Sequence, residues 1–155
     1  MSKTNAVRIL ESLKIPHSTT SYEVNEDDLS AITVAESIGA EKEQVFKTLI
    51  ARGDKTGITV FIIPGNEELN LKKAASASGN KSVEMIKQKE ILPLTGYIKG
   101  GCSPIGMKKL YPTFIDETAQ LFDTIFVSAG VRGTQIKLSP VDLLKVINGT
   151  YAPLT

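Results

Sequence analysis

The stretch Val45-Phe46-Lys47-Thr48-Leu49-Ile50-Ala51, followed after residues 52–57 by Ile58-Thr59-Val60-Phe61-Ile62-Ile63, decides how this chain folds. Both runs are rich in β-branched and aromatic residues. A polar, glycine-containing turn separates them, and Pro64-Gly65-Asn66 ends the second, which is the pattern of a β-hairpin. Within the first run, strand alternation sends Phe46, Thr48 and Ile50 to one face and Val45, Lys47, Leu49 and Ala51 to the other. Lys47 is therefore a lone cation whose neighbours on either face are largely apolar. A lysine seldom occupies such a run without a partner or an exit to solvent. Two readings are open at this point: an edge-strand lysine snorkelling outward, or an amine held for function.

Working outward, the flanking segments supply helices and further strands. Ala6, Val7, Ile9, Leu10 and Leu13 recur at helical spacing, so residues 4–14 read as an amphipathic helix ended by Pro16. Residues 17–24 read as a strand, and Ser30 or Thr33 caps a short helix through Ile38 that stops at Gly39. Asn70 caps a helix over 71–78 stopped by Gly79. Residues 82–85 form a short strand and residues 87–92 a helical turn or two before Pro93. Strands over 113–116, 124–128 and 134–138 follow, with a short helix at 117–121. Ser139-Pro140-Val141-Asp142 combines a capping serine, a proline at the first helical position and an acid in the first turn, so a last helix runs to Ile147. Strands and helices interleave irregularly and several strands are joined by short turns. That predicts an α+β fold with a mixed sheet curling around one core, in a single domain over 1–155.

Composition narrows the chemistry. At 155 residues, 41% hydrophobic and 23% charged, the chain has the make-up of one soluble globular domain. No apolar run reaches the length of about 20 residues that a membrane span needs. The leading Met1-Ser2-Lys3-Thr4-Asn5 runs into an amphipathic pattern rather than a signal-peptide core, so a cytoplasmic protein is expected. One histidine and one cysteine cannot assemble the usual Cys/His zinc sets within one chain, and no metal or other cofactor is expected. His17 reads as an exposed strand start rather than a catalytic base. Walker and dinucleotide fingerprints are absent.

One loop stands out chemically. Gly96-Tyr97-Ile98-Lys99-Gly100-Gly101-Cys102-Ser103-Pro104-Ile105-Gly106 holds four glycines and a proline in eleven residues. It can continue neither as helix nor as regular strand. Bare backbone N–H groups there suit an oxyanion or a phosphate oxygen. Charge points the same way. Residues 72–109 carry eight lysines against two glutamates, a net of +6, while residues 1–71 are net −4. Such a basic segment is suited to a phosphate backbone if the lysines share a surface, and is otherwise only solvated helix faces.

The motifs Phe46-Lys47-Thr48-Leu49, Leu71-Lys72-Lys73-Ala74 ahead of Ser82-Val83-Glu84-Met85, Thr95-Gly96-Tyr97 through Gly106-Met107-Lys108-Lys109, and Phe126-Val127-Ser128-Ala129-Gly130 with Arg132-Gly133 come in this order along the chain. In these the sequence resembles the YbaK/EbsC family of aminoacyl-tRNA deacylases, relatives of the editing domain of bacterial prolyl-tRNA synthetases. The resemblance implies a barrel-like curled sheet with flanking helices. It also implies a hydrolase that removes a wrong amino acid from mischarged tRNA, usually cysteine from proline tRNA, in trans and sometimes alongside prolyl-tRNA synthetase. Editing of this kind exists because a synthetase pocket cannot reject a smaller or isosteric amino acid strongly enough. The resemblance places Lys47 with Gly100 and Gly101 at the reaction centre. It assigns Tyr22, Thr48, Ser103, Ser128, Gly130 and Gln135 to substrate binding. With no side chain an obvious general base, backbone oxyanion stabilisation with help from the substrate itself is the expected mechanism, and Cys102 is a variation in the loop rather than the nucleophile. Competing expectations are a non-catalytic tRNA- or synthetase-binding module of the same fold, and a hydrolase for another small acyl ester.

Overall fold

The computed structural model describes residues 3–155; Met1 and Ser2, which open the N-terminal reading above, lie outside them. The hairpin forms where the sequence places it. Strand β2 (Phe46–Gly53) pairs antiparallel with β3 (Gly57–Pro64), Lys47 opposite Ile63 and Thr48 opposite Ile62. Around it a five-stranded sheet is ordered β4-β2-β3-β5-β8, with β4 at Val83–Met85, β5 at Thr113–Asp116 and β8 at Thr150–Ala152. The β3–β5 and β5–β8 pairs are parallel, so the sheet is mixed. A second sheet, antiparallel throughout, is ordered β1-β7-β6, with β1 at His17–Ser21, β6 at Ile125–Ser128 and β7 at Thr134–Leu138. A parallel bridge, Val45 to Phe126, connects the two sheets. In place of one curled barrel-like sheet, the α+β domain thus has two open sheets that do not close on each other among the described residues.

Helices cover the sheets as their apolar stripes require. The main core gathers Phe46, Ile50, Val60 and Ile62 of the hairpin with Ile125, Val127, Ile136 and Leu138 of the second sheet. Ala6, Val7 and Leu10 of α1 (Asn5–Ser12) and Leu143 and Ile147 of α5 (Pro140–Ile147) close it. On the other face of the hairpin, Ala51, Phe61 and Ile63 pack with Ala74 and Ala75 of α3 (Leu71–Ser78) and with Leu154. Val34 and Ala35 of α2 (Ala31–Ile38) pack on Val45 and Phe126, at the bridge between the sheets. Burying each Val, Leu, Ile or Phe side chain stabilises the fold by about 1.5–3 kcal/mol.

The caps read from the sequence are present. Ser30, Asn70 and Ser139 each accept a hydrogen bond from the backbone N–H three residues on, at 3.3, 3.0 and 3.4 Å. Gly39 and Gly79 close α2 and α3 in the left-handed conformation. The strand expected over 17–24 ends at Ser21, a 3-10 turn at Lys42–Gln44 has no counterpart in the sequence reading, and two further segments differ. Helix α4 (Ile91–Thr95) runs through Pro93 instead of ending before it. Pro93 sits in the first turn, where a backbone N–H has no helical acceptor and proline is tolerated. Strand β8 was not expected: its three residues carry no local signal and are held by parallel pairing to β5.

Candidate active site

The end of β2 that carries Lys47 opens onto a cavity of about 440 Å³, in the range of sites for small molecules. Its wall brings together Tyr22, Lys47, Thr48, Gly100, Ser128 and Gln135, residues drawn from both sheets and from the glycine loop. Cross-strand register explains part of this. Ser128 of β6 lies directly opposite Gln135 of β7, and Thr20 of β1 opposite Gln135 on its other side. Strand alternation then turns Gln135 away from Ile136, which is in the main core.

Lys47 is half-buried, and burial lowers its amine from the ordinary lysine value. The carboxylates of Glu68 and Glu67 act in the opposite sense but do not cancel that effect. Lys47 forms no ion pair among the described residues, so its charge faces the cavity uncompensated by direct contact.

Two polar side chains that line the same cavity are also without partners. The buried Oγ1 of Thr48 and Oε1 of Gln135 have no hydrogen bond among the described residues, and Gln135 is only 6% exposed. A buried acceptor left unmade costs about 1–3 kcal/mol, so these atoms mark a wall built to be satisfied by something else. The Ser128 hydroxyl accepts from the Gly130 N–H at 3.1 Å, which leaves its own proton free to donate.

The glycine loop is braced internally. The Tyr97 hydroxyl donates to the Ile105 carbonyl at 2.6 Å, and Thr95 Oγ1 accepts from the Tyr97 N–H at 3.1 Å. Burial pushes Tyr97 up to about 12, with Cys102 adding to the shift, so this brace stays protonated. Gly100 sits at φ +83°, and a Cβ there would meet Nε of Arg132 at 3.1 Å and Leu29 at 3.3 Å. Gly101 lies against the backbone of Val131 and Arg132, with a Cβ meeting both at about 3.1 Å. Only glycine allows the loop to lie this close to the β6–β7 turn.

Not every expected residue faces the cavity. Gly101 is buried outside its wall, and its N–H is spent on the Ile98 carbonyl at 3.0 Å. Ser103 is fully buried and accepts from the Ile105 N–H at 3.2 Å, so it shapes the loop. Gly130 bonds to Ser128 behind the wall and packs against the Tyr97 ring. Cys102 does line the cavity, but burial pushes its thiol up to about 11, far from a reactive thiolate at neutral pH. His17 is elsewhere, its Nδ1 donating to the Ile15 carbonyl at 2.8 Å. The cavity adds residues that the sequence did not single out. Leu29 comes from the segment leading into α2 and Val34 from α2 itself, and Ile86, Gln88 and Ile91 from the segment after β4. Lys99 signalled itself as part of the glycine loop; Gln88 opens a 3-10 turn within the helical stretch read over 87–92, but nothing marked its side chain for the cavity.

The model of the aminoacyl-tRNA editing domain matches residues 26–146, which contain nearly the whole cavity wall. The chain belongs to the aminoacyl-tRNA editing domain family. It is 54% identical, over 99% of its length and 93% of the relative's, to a protein of Enterococcus faecalis named "Putative Cys-tRNA(Pro)/Cys-tRNA(Cys) deacylase EbsC". It is 30% identical over 64% of its length to 17% of a proline–tRNA ligase of Shouchella clausii, the proportion expected of one domain within a larger enzyme. A solved structure described as "a putative trans-editing enzyme for prolyl tRNA synthetase" shares the fold, with a TM-score of 0.84 at 24% identity over 99% of both chains.

Proposed function

We propose that this editing-domain protein hydrolyses the ester bond of mischarged tRNA, with cysteine on proline tRNA as its principal substrate. The observation that carries the proposal is the meeting of one unpaired, half-buried amine with a glycine backbone and unsatisfied polar atoms on one small cavity. A cavity of about 440 Å³ suits the aminoacyl end of a tRNA and no more of it. The amino acid named for the Enterococcus faecalis relative supplies the choice of cysteine.

In this reading, water adds to the ester carbonyl, the carbonyl oxygen becomes an oxyanion, and the bond to the ribose oxygen breaks with a proton passing to that oxygen. The Gly100 N–H is the backbone donor for the oxyanion, since the Gly101 N–H is already engaged. Lys47 holds the terminal adenosine through its phosphate or its sugar hydroxyls. Gln135 Oε1, Thr48 Oγ1 and the free Ser128 proton orient the aminoacyl group. The raised Cys102 thiol stays out of the chemistry, and the water is activated by the substrate's own groups.

The test is a deacylation panel: proline tRNA charged with cysteine, alanine or proline, and cysteine tRNA charged with cysteine. Release of cysteine from proline tRNA, with proline tRNA carrying proline left intact, is expected. No release from any of the four overturns the proposal.

A further inference from the structure

The eight lysines of residues 72–109 separate in space. Lys99 lines the cavity beside Gly100, and its amine reaches Gln88 Oε1 at 3.4 Å. Gln88 lines the same wall, with the exposed Lys87 and Lys89 on either side of it in the chain. None of these three lysines is in an ion pair among the described residues. The one carboxylate amid them, Glu90, is already bound to Arg52 at 2.9 Å and to the Lys87 N–H at 2.9 Å. By contrast Lys72 and Lys81 line a different surface concavity with α3. The Lys81 N–H bonds to Asp54 at the turn of the hairpin. That turn lies seven residues from Lys47, or about 20 Å along the strand.

The wall that meets the glycine loop at Leu29 and Arg132 is acidic. Tyr22, Leu29 and Ser30 form that wall, and the segment that carries them holds Glu23, Glu26, Asp27 and Asp28, all exposed. Among the described residues only Glu26 of these has a cationic partner, Arg132 at 3.0 Å. Glu67 and Glu68 extend the acidic side near Lys47. A polyanion reaching the cavity is repelled by the 23–28 segment and attracted by Lys99 on the wall and by the exposed Lys87 and Lys89 that flank Gln88 in the chain.

We infer that the single strand leading to the esterified 3′ end of the tRNA enters over Lys87, Lys89 and Lys99, with its phosphates on these three amines and away from the 23–28 segment. This rests on the deacylase reading above and adds to it the path of the substrate. Each phosphate neutralised on a single strand contributes about 0.7 to the slope of log affinity against log salt. Three contacts make a slope of about 2, which is about 20-fold in affinity between 50 and 200 mM salt.

The experiment measures binding of uncharged proline tRNA by fluorescence anisotropy across 50–200 mM KCl. It compares the wild type, the K87Q/K89Q/K99Q variant and a K72Q/K81Q variant, each checked for an unchanged melting temperature. The expected result is a slope lower by about 2 for the triple variant and unchanged for the double variant. A triple variant with the wild-type slope, or an equal loss in the double variant, overturns the inference. So does a wild type whose binding does not respond to salt. The binding arm does not depend on turnover. Absence of deacylation by the wild type counts against the reaction, whereas deacylation with an unmoved slope counts against the entry path alone.

Discussion

Replacing Lys47 with methionine keeps an unbranched apolar stem on β2 and removes only the charge. The amine is half-buried, unpaired among the described residues, and faces the cavity that holds Gly100, Ser128 and Gln135. A hydrogen bond made by a charged group to substrate is worth about 1.5–3 kcal/mol. At 1.36 kcal/mol per decade, that is a loss of about 10- to 150-fold in kcat/KM. Stability moves the other way. Burial holds the folded-state amine below its unfolded value, so the protonated form destabilises the fold below that lowered value, and the penalty is relieved as pH rises through it toward the unfolded value. K47M is therefore more stable than the wild type near pH 7, and the gap closes on the approach to pH 10–11. The assays are release of labelled cysteine from proline tRNA under kcat/KM conditions and urea denaturation at several pH values. A K47M protein that folds and keeps kcat/KM within threefold of wild type refutes the role given to the amine. A K47M protein less stable than wild type at pH 7 refutes the account of its burial.

Cys102→Ala should keep deacylation within a few-fold of wild type, and the wild-type thiol should resist iodoacetamide at pH 7.5 by mass spectrometry, because burial pushes it up to about 11. A loss beyond tenfold, or rapid labelling, returns Cys102 to the chemistry. Gln135→Leu removes a buried, unpartnered Oε1 and should gain about 1 kcal/mol in urea unfolding while lowering kcat/KM; a variant that is both less stable and fully active contradicts the site. Gly100→Ala forces a Cβ into a φ of +83° and against Arg132 and Leu29. It should cost about 1–3 kcal/mol in stability and slow turnover, seen as a lower urea midpoint and a lower kcat; wild-type values for both would show that the loop does not need its left-handed turn.

Much of the local architecture was legible because its causes are local. Ser30, Asn70 and Ser139 cap α2, α3 and α5 through bonds to N–H groups three residues away, and Gly39 and Gly79 stop two of these helices by adopting a conformation that other residues resist. The hairpin and the strands over 113–116 and 134–138 were equally visible from β-branched runs between breakers. Family membership was legible as well, since the motifs that carry it are short and ordered. Alternation in the hairpin correctly parted Phe46 and Ile50, which lie in the main core, from Ala51, which lies in the second.

Only the tertiary structure decided what depends on distant pairing. The parallel β5–β8 pair and the bridge from Val45 to Phe126 leave no local trace, so neither β8 nor the division into two open sheets was readable. The same holds for the glycine loop, whose residues look alike in sequence. Folding turns Gly100 to the cavity, ties the Gly101 N–H to Ile98 and buries Ser103 in the loop's own turn. It also sorts the lysines, placing Lys99 on the cavity wall and Lys72 and Lys81 on a different concavity. Sequence states which groups exist and how each bends its own neighbourhood. Which N–H stays free and which charges share a surface follow from contacts between segments far apart in the chain, fixed only when the core closes.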